Sequence, residues 1–361
     1  MTPGAASIPR RVLIVDDSAA VRHVLSRIVG ADPTLSVMGL AADPFEAARL
    51  MRAERPDVVM LDVEMPRMDG LTFLRRLMAQ HPIPVVMCSS LMGEGGEALA
   101  EALALGAVEA ICKPTSGVTG LAEAEERVRD AVRAATMARL PRPGAAAPAP
   151  PRPPAEPVAM RRRGVRPANR SVIAVGASTG GTEALRLFLS RLPPDAPPVV
   201  IVPHMPAGFT AAFARRLDGL AAIGVAEARD GERLATGRAL IAPGGRHLRL
   251  APDGAGWRVA LADGALVSRH KPSVDVLFRS AAEAAGRRAV GVIMTGMGED
   301  GAAGLLAMRE AGARTLGQDE ASSIVYGMPK AAMRLGAVER QGNPEALADL
   351  AVELAANTAP A

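Results

Sequence analysis

Aromatic side chains are scarce: Phe, Tyr and Trp together make up 2% of the 361 residues. The hydrophobic cores must therefore be built from Ala, Val, Leu, Ile and Met. Cysteine is scarcer still. Cys88 and Cys112 are the only two. One pair excludes a disulfide framework, and both lie in strand-like apolar runs that suit buried, reduced thiols. No uninterrupted apolar stretch approaches the roughly 18 residues of a membrane span. The N-terminal residues lack a charged segment followed by a long apolar core, so no signal peptide is expected. Charge of one sign is also lacking. Lys and Arg total 42 against 38 acids, a net charge of +4. The pI near 9.6 reflects the high pKa of arginine, not a nucleic-acid footprint. The expectation is a cytoplasmic protein without membrane insertion or nucleic-acid binding.

What is present is enough apolar material, 49% of the residues, for two cores, and the length fits two domains. Residues 10–130 alternate short β-type runs with helix-type segments, the pattern of a doubly wound α/β domain with a mostly parallel sheet. Pro141-Arg142-Pro143-Gly144 opens a Pro/Ala-rich tract that runs to about Arg170, so residues 131–170 read as a linker. Its Arg161-Arg162-Arg163 run reads as a solvated charge cluster. Residues 171–356 form a second doubly wound α/β domain. Val172–Val175, Val199–Val202 and Ala289–Met294 are its buried strands, and Glu183–Leu192 and Phe209–Leu217 its first helices. Between Ala226 and Asp263, Gly-rich turns separate short alternating runs, which predicts β-hairpins inserted at one side of the sheet.

In the first domain, each of four β-type runs ends in polar residues of a different kind. Asp16 and Asp17 follow Val12–Val15, Asp62 follows Val58–Leu61, Ser89 follows Val85–Cys88, and Lys113 follows Ala110–Cys112. The carboxyl ends of parallel strands form the ligand crevice of such a sheet, so three carboxylates, a hydroxyl and an ammonium converge there. Carboxylate oxygens suit Mg²⁺, which keeps several waters and takes a phosphate oxygen as partner. Hydroxyl and ammonium suit a phosphoryl group. The plainer reading of any one of these acids is a solvated loop residue; five in order at this spacing read as a phospho-accepting aspartate site.

This set, with Leu61-Asp62-Val63-Glu64-Met65-Pro66-Arg67-Met68-Asp69-Gly70, resembles the response-regulator receiver family. The resemblance implies that Asp62 accepts the phosphoryl group and that Asp16 and Asp17 hold Mg²⁺, with Asp62 and the Glu64 carbonyl helping. It also implies that Ser89 and Lys113 bind phosphoryl oxygens. That family usually has an aromatic three residues before the lysine. Here the residue is Ala110, so switching is expected to depend on Ser89 and the backbone.

In the second domain, Gly176-Ala177-Ser178-Thr179-Gly180 fits G-x-S-x-G between a strand and a helix, the setting of a nucleophile elbow. A serine needs a base, normally His, and an orienting acid. His204 directly follows the second strand, on the same sheet edge as Ser178, and Asp300 follows the strand ending at Met294. The order Ser178, His204, Asp300 is favoured. Ser178, Asp230 and His270 would satisfy the order of a standard α/β-hydrolase, although Asp230-Gly231 resembles a hairpin turn. A dinucleotide-binding turn is a further alternative, but it expects an acid where Pro203-His204 stands. The plainest reading makes Ser178 a helix cap and His204 a strand end.

Four segments resemble the chemotaxis protein-glutamate methylesterase family. They are Gly176–Gly181, Pro203-His204-Met205-Pro206, Ala242-Pro243-Gly244-Gly245-Arg246-His247 and Thr295–Gly301. The resemblance implies a catalytic triad of Ser178, His204 and Asp300, with the Met297 N–H as an oxyanion donor. It implies hydrolysis of glutamate methyl esters on methyl-accepting chemoreceptors, releasing methanol, and deamidation of receptor glutamines, with no metal in that step. A chemotaxis histidine kinase would be the phosphodonor, and the unphosphorylated receiver would block access to Ser178. A non-catalytic regulator that binds receptors or competes for phosphoryl groups is the alternative class.

Overall fold

The computed structural model describes residues 8–89, 95–113, 121–140, 171–254 and 256–357. The chain divides into two compact units, residues 1–143 and 144–361. The Pro/Ala-rich tract from Pro141 to Arg170, with its arginine run, lies outside the described residues.

The first unit alternates strand and helix throughout: β1 (Arg10–Val15), α1 (Ala19–Gly30), β2 (Leu35–Ala41), α2 (Pro44–Ala53), β3 (Val58–Asp62), α3 (Gly70–Gln80), β4 (Val85–Ser89), α4 (Gly95–Ala104), β5 (Glu109–Cys112) and α5 (Leu121–Met137). Its sheet is parallel, in the order β2-β1-β3-β4-β5. Helix starts follow the local chemistry. Asp43 and Asp69 accept the first free N–H groups of α2 and α3 through their side chains, satisfying donors that have no intrahelical partner. α5 runs on to Met137, past residue 130 where the linker was expected to begin. Its last turns bury Val132, Ala134 and Ala135, and that burial, with no breaker before Pro141, carries the helix forward. Cys88 is buried and Cys112 half-buried, both as free thiols. Burial pushes both thiols up, away from the reactive thiolate.

The second unit contains β6 (Val172–Ala177), α6 (Gly181–Arg191), β7 (Val199–Pro203), α7 (Thr210–Asp218), β8 (Gly224–Glu227), β9 (Arg238–Ile241), β10 (His247–Asp253), β11 (Gly256–Ala262), α8 (Val274–Ala285), β12 (Ala289–Ile293), α9 (Ala302–Glu310), β13 (Arg314–Gln318), α10 (Met328–Arg334), β14 (Arg340–Gly342) and α11 (Pro344–Ala356). Seven strands form one sheet in the order β14-β13-β12-β6-β7-β9-β8, every pairing parallel. Alternation along the strands sends side chains to two cores. Val172 and Ala174 join one, shared with α8, α9 and the hairpin; Ile173 and Val175 join the other, with α6, α7 and α11. Strands buried on both faces read as continuous apolar runs, as Val199–Val202 does.

Of the β-hairpins predicted in the Gly-rich stretch, the described residues form one. β10 and β11 pair antiparallel, whereas β8 and β9 are parallel members of the main sheet. The Asp230-Gly231 turn meets β11, where the Asp230 carboxylate accepts from the Leu261 N–H at 2.8 Å.

In the first sheet the connections of neighbouring β1 and β3 lead in opposite directions, and in the second those of neighbouring β6 and β12 do. A crevice opens outside the carboxyl ends of the strands at such a switch point. Asp16 and Asp62 stand at the first; Ser178 and the loop after β12 stand at the second.

Candidate functional site

At the first switch point, the Lys113 ammonium lies 2.7 Å from Asp16 Oδ2 and 2.7 Å from Asp62 Oδ2. Both carboxylates are buried, as is Ser89, whereas Asp17 is exposed. The Glu64 N–H points to Asp62 Oδ1 at 3.4 Å. Burial raises the Asp62 carboxyl most; Lys113 opposes this, Asp16 adds to it, and the net result is a raised pKa. Burial acts to lower the Lys113 pKa, but the two carboxylates outweigh it and the ammonium is held charged. The ligand oxygens of Asp16, Asp17 and Asp62 lie within 4.8 Å of one another. An all-carboxylate set of this kind fits a hard divalent ion that retains water. Ala110, three residues before Lys113, is buried on β5 opposite Met87.

At the second switch point, the β6–β7 register pairs Ala177 with Pro203, so Ser178 and His204 each stand one residue beyond a matched pair. The His204 N–H donates to the Ala177 carbonyl at 3.0 Å, which extends that register to the site. Ser178 does not cap the following helix. The N-cap of α6 is Gly180, in the left-handed region at φ 76°, with no side-chain cap. A Cβ there would lie 2.4 Å from the Ile324 Cβ, so only glycine makes this turn. Gly296 is needed for a different reason: a Cβ would stand 2.6 Å from the Ser178 Cβ. The loop after β12 therefore lies directly against the serine.

Asp300 is almost wholly buried and is saturated with donors. Its Oδ2 meets His204 Nε2 and the Val274 N–H, each at 2.7 Å. Its Oδ1 accepts from the Ser273 hydroxyl at 2.7 Å and from the Asp275 N–H at 3.2 Å. Two of these donors are free N–H groups at the start of α8, where the helix favours a negative charge. Burial acts to raise the Asp300 pKa, but the His204 hydrogen bond and charge, the Ser273 hydroxyl and the Val274 N–H outweigh it, so the carboxyl is lowered. A carboxylate only accepts, so His204 carries its proton on Nε2. The unprotonated nitrogen is Nδ1, which is buried without a hydrogen-bond partner.

Met297 lies half-buried in a loop that is fastened from below. The Gly296 N–H donates to the Val325 carbonyl, and the Gly296 carbonyl accepts from the N–H groups of Gly327 and Met328. The Thr295 hydroxyl accepts from the Val325 N–H at 2.9 Å and reaches the Thr179 carbonyl at 3.0 Å. Gln318 Oε1 accepts from the Thr295 N–H at 2.8 Å.

Ser178, His204, Asp300 and Met297 thus share one crevice. The alternative set does not assemble: Asp230 holds the hairpin, and His270 stacks on His204. His204, His270 and Asp300 present ligand atoms within 4.8 Å of one another, but the two imidazoles are parallel at 3.6 Å. Nitrogen lone pairs lie in the ring planes, so one ion cannot lie in both planes at the roughly 2.0–2.1 Å of a metal–imidazole bond.

Sequence reasoning missed Ser273 and the segment Ser323–Met328. A serine directly before a helix was a legible signal for the first. Its hydroxyl serves Asp300 instead of its own helix, which makes no side-chain cap. Nothing local marks the second.

Residues 173–351 match the family model of the CheB methylesterase, and residues 12–124 that of the response regulator receiver domain. Protein-glutamate methylesterase/protein-glutamine glutaminase 5 of Anaeromyxobacter dehalogenans is 57% identical over 343 residues, 94% of this chain and 94% of that protein. The protein-glutamate methylesterase/protein-glutamine glutaminase of group 3 operon of Cereibacter sphaeroides is 54% identical over 359 residues, covering 98% and 96%. The crystal structure of the Thermotoga maritima CheB methylesterase catalytic domain aligns at a TM-score of 0.50 and 33% identity. It covers 51% of this chain and 98% of that one.

Proposed function

The chain belongs to the protein-glutamate methylesterase/protein-glutamine glutaminase family, with a receiver ahead of the catalytic unit, and on that premise we propose a residue-level mechanism and its control. Ser178 is the nucleophile, His204 the base and Asp300 the orienting acid. The observation that carries this reading is the 2.7 Å contact of Asp300 with His204 Nε2, which leaves Nδ1 as the basic nitrogen beside the β6–β7 strand ends.

The Ser178 hydroxyl attacks the glutamyl ester carbonyl and passes its proton to His204 Nδ1. Asp300 keeps the proton on Nε2 and stabilises the imidazolium. The Met297 N–H donates to the oxyanion; each such donor is worth on the order of 10²–10³ in rate. The Nδ1 proton goes to the ester oxygen, which departs as methanol, or to the amide nitrogen, which departs as ammonia when the substrate is a glutamine side chain. His204 then draws a proton from water, which attacks the glutamyl-serine ester and restores the free serine. Relative to chymotrypsin-type triads, where the acid holds Nδ1, the imidazole nitrogens exchange roles.

In the receiver, Asp62 accepts the phosphoryl group from a chemotaxis histidine kinase, and this raises the esterase activity. Asp16, Asp17 and Asp62, with the Glu64 carbonyl, would hold Mg²⁺, which would neutralise charge on the transferring phosphoryl oxygens. Ser89 and Lys113 bind the same oxygens once Lys113 is released from its two carboxylates. The substrates are methylated helices of chemoreceptors, which requires a cytoplasmic location. The test is methanol release from a methyl-labelled chemoreceptor cytoplasmic fragment. Ser178→Ala and His204→Ala are expected to release none above background; full activity in Ser178→Ala would overturn the assignment.

A further inference from the structure

His270 lies outside the triad, yet its ring stacks on that of His204, with centroids 3.6 Å apart and planes within 8°. The backbone that delivers it is unusual. Val267 and His270 exchange both backbone hydrogen bonds, at 3.1 and 2.9 Å, closing a tight turn. Its two central residues, Ser268 and Arg269, have φ of 50° and 67°. Positive φ at both central positions defines a type I′ turn, which ordinarily takes Asn-Gly or Gly-Gly. Holding Ser and Arg there is strain of the kind that persists where the surroundings require one geometry.

The same turn fixes the ring. His270 Nδ1 is 2.6 Å from the Ser268 carbonyl. A carbonyl can only accept, so Nδ1 carries the hydrogen and points back into its own turn. The stacked face is therefore held by a local hydrogen bond that does not involve His204.

His204 needs such a support. Its only in-plane anchor among the described hydrogen bonds is Nε2 to Asp300. One anchor leaves the ring free to rock about it, and rocking displaces Nδ1. A flat ring at van der Waals distance resists that motion.

We propose that His270 is a positioning residue: its stacked imidazole holds the plane of His204. This rests on the reading of His204 as the base, so the two must be tested together. The experiment uses the full-length protein with acetyl phosphate and Mg²⁺, and steady-state methanol release from a methyl-labelled chemoreceptor cytoplasmic fragment. His270→Ala and His270→Phe are compared with the parent and with His204→Ala, and thermal unfolding is followed for each.

His270→Ala is expected to lower kcat by about tenfold to a hundredfold, the range produced by misplacing a catalytic group, with KM nearly unchanged. His270→Phe keeps a flat ring in the stack and is expected to recover most of the lost kcat. A kcat in His270→Ala within twofold of the parent, or a change in KM alone, overturns the proposal. So does a folded His270→Phe as slow as His270→Ala, because the imidazole would then act through its nitrogens. If His204→Ala retains activity, the base assignment itself falls; if it is inactive while His270→Ala is normal, only the role of His270 falls.

Discussion

Asp300 holds His204 by Nε2, at 2.7 Å, and so leaves Nδ1 as the nitrogen with a lone pair. Both Asp300 oxygens also accept backbone N–H groups from the start of α8. A neutral amide in this place must set an NH₂ against one of them. The lesser conflict is at Oδ1, where the Asp275 N–H is the longer contact at 3.2 Å and the Ser273 hydroxyl can turn to accept. An asparagine can then still accept from Nε2, but it brings no charge to stabilise the imidazolium. Asp300→Asn is therefore expected to lower kcat by roughly 10²–10⁴, with KM changed little. Steady-state methanol release at saturating receptor fragment measures it, and a kcat within tenfold of the parent would show that the Asp300 charge contributes little.

The same carboxylate links the fold to acid. Its pKa is lowered from an ordinary value of 3.8, because His204, Ser273 and the α8 N–H groups outweigh burial. A depressed folded pKa gives stability that is fully present above the unfolded value and is lost as pH falls through the folded one. Wild type should thus lose part of its stability below about pH 3.8, and Asp300→Asn should show a shallower loss over that range while being less stable at neutral pH. Urea unfolding at a series of pH values, read by Trp257 fluorescence, gives both slopes. Parallel slopes would mean that Asp300 does not titrate in this way.

What was legible in the chain follows from range. Asp16, Asp62, Ser178 and His204 each end a strand or directly follow one, and strand ends in a parallel sheet are brought together by register. Alternation alone therefore placed them. Asp300 stands farther from its strand, but its glycine-rich loop marked it. Ser273 escaped because its partner is 27 residues away in sequence, and the Val325–Met328 support because it acts through backbone groups that any residue supplies. β8 and β9 were misread because a glycine turn does not reveal whether the run that follows pairs antiparallel with its neighbour or crosses over to a parallel place. The last turns of α5 were not legible as helix because they are Ala- and Arg-rich, and the burial of Val132, Ala134 and Ala135 that marks them is a tertiary property.

Lys113 lies 2.7 Å from an oxygen of each of two buried carboxylates. An ammonium there competes with a divalent ion for the same oxygens. Lys113→Ala leaves more negative charge in the crevice, so Mg²⁺ is expected to bind at least as tightly as in the parent, while labelling by acetyl phosphate falls. Asp17→Asn removes a carboxylate from the set and is expected to weaken Mg²⁺ by about tenfold, equivalent to about 1.4 kcal/mol. Titration calorimetry with MgCl₂ separates the two. Weaker Mg²⁺ binding in Lys113→Ala would show that the lysine organises the carboxylates more than it competes with the ion.

Asp62 lies at the end of β3 with its carboxylate tied to Lys113, and phosphorylation there must break that pair. The group added brings further negative charge and three acceptor oxygens, for which Lys113, directly after β5, and Ser89, at the end of β4, are the nearby donors. A two-state receiver responds to the difference in free energy between these arrangements, and couplings between two sites are typically worth roughly 5- to 150-fold in affinity. Methanol release by the full-length protein should rise within that range when acetyl phosphate and Mg²⁺ are added. Asp62→Asn should show the basal rate with or without the donor, and should take up no acid-labile phosphate. With Ala110 on β5 in place of a ring, Ser89 is left as the side chain that can follow the phosphoryl group, so Ser89→Ala should be phosphorylated but stimulated less than the parent. Stimulation of Asp62→Asn equal to that of the parent would place the acceptor elsewhere, and full stimulation of Ser89→Ala would move the switch from that hydroxyl to the backbone.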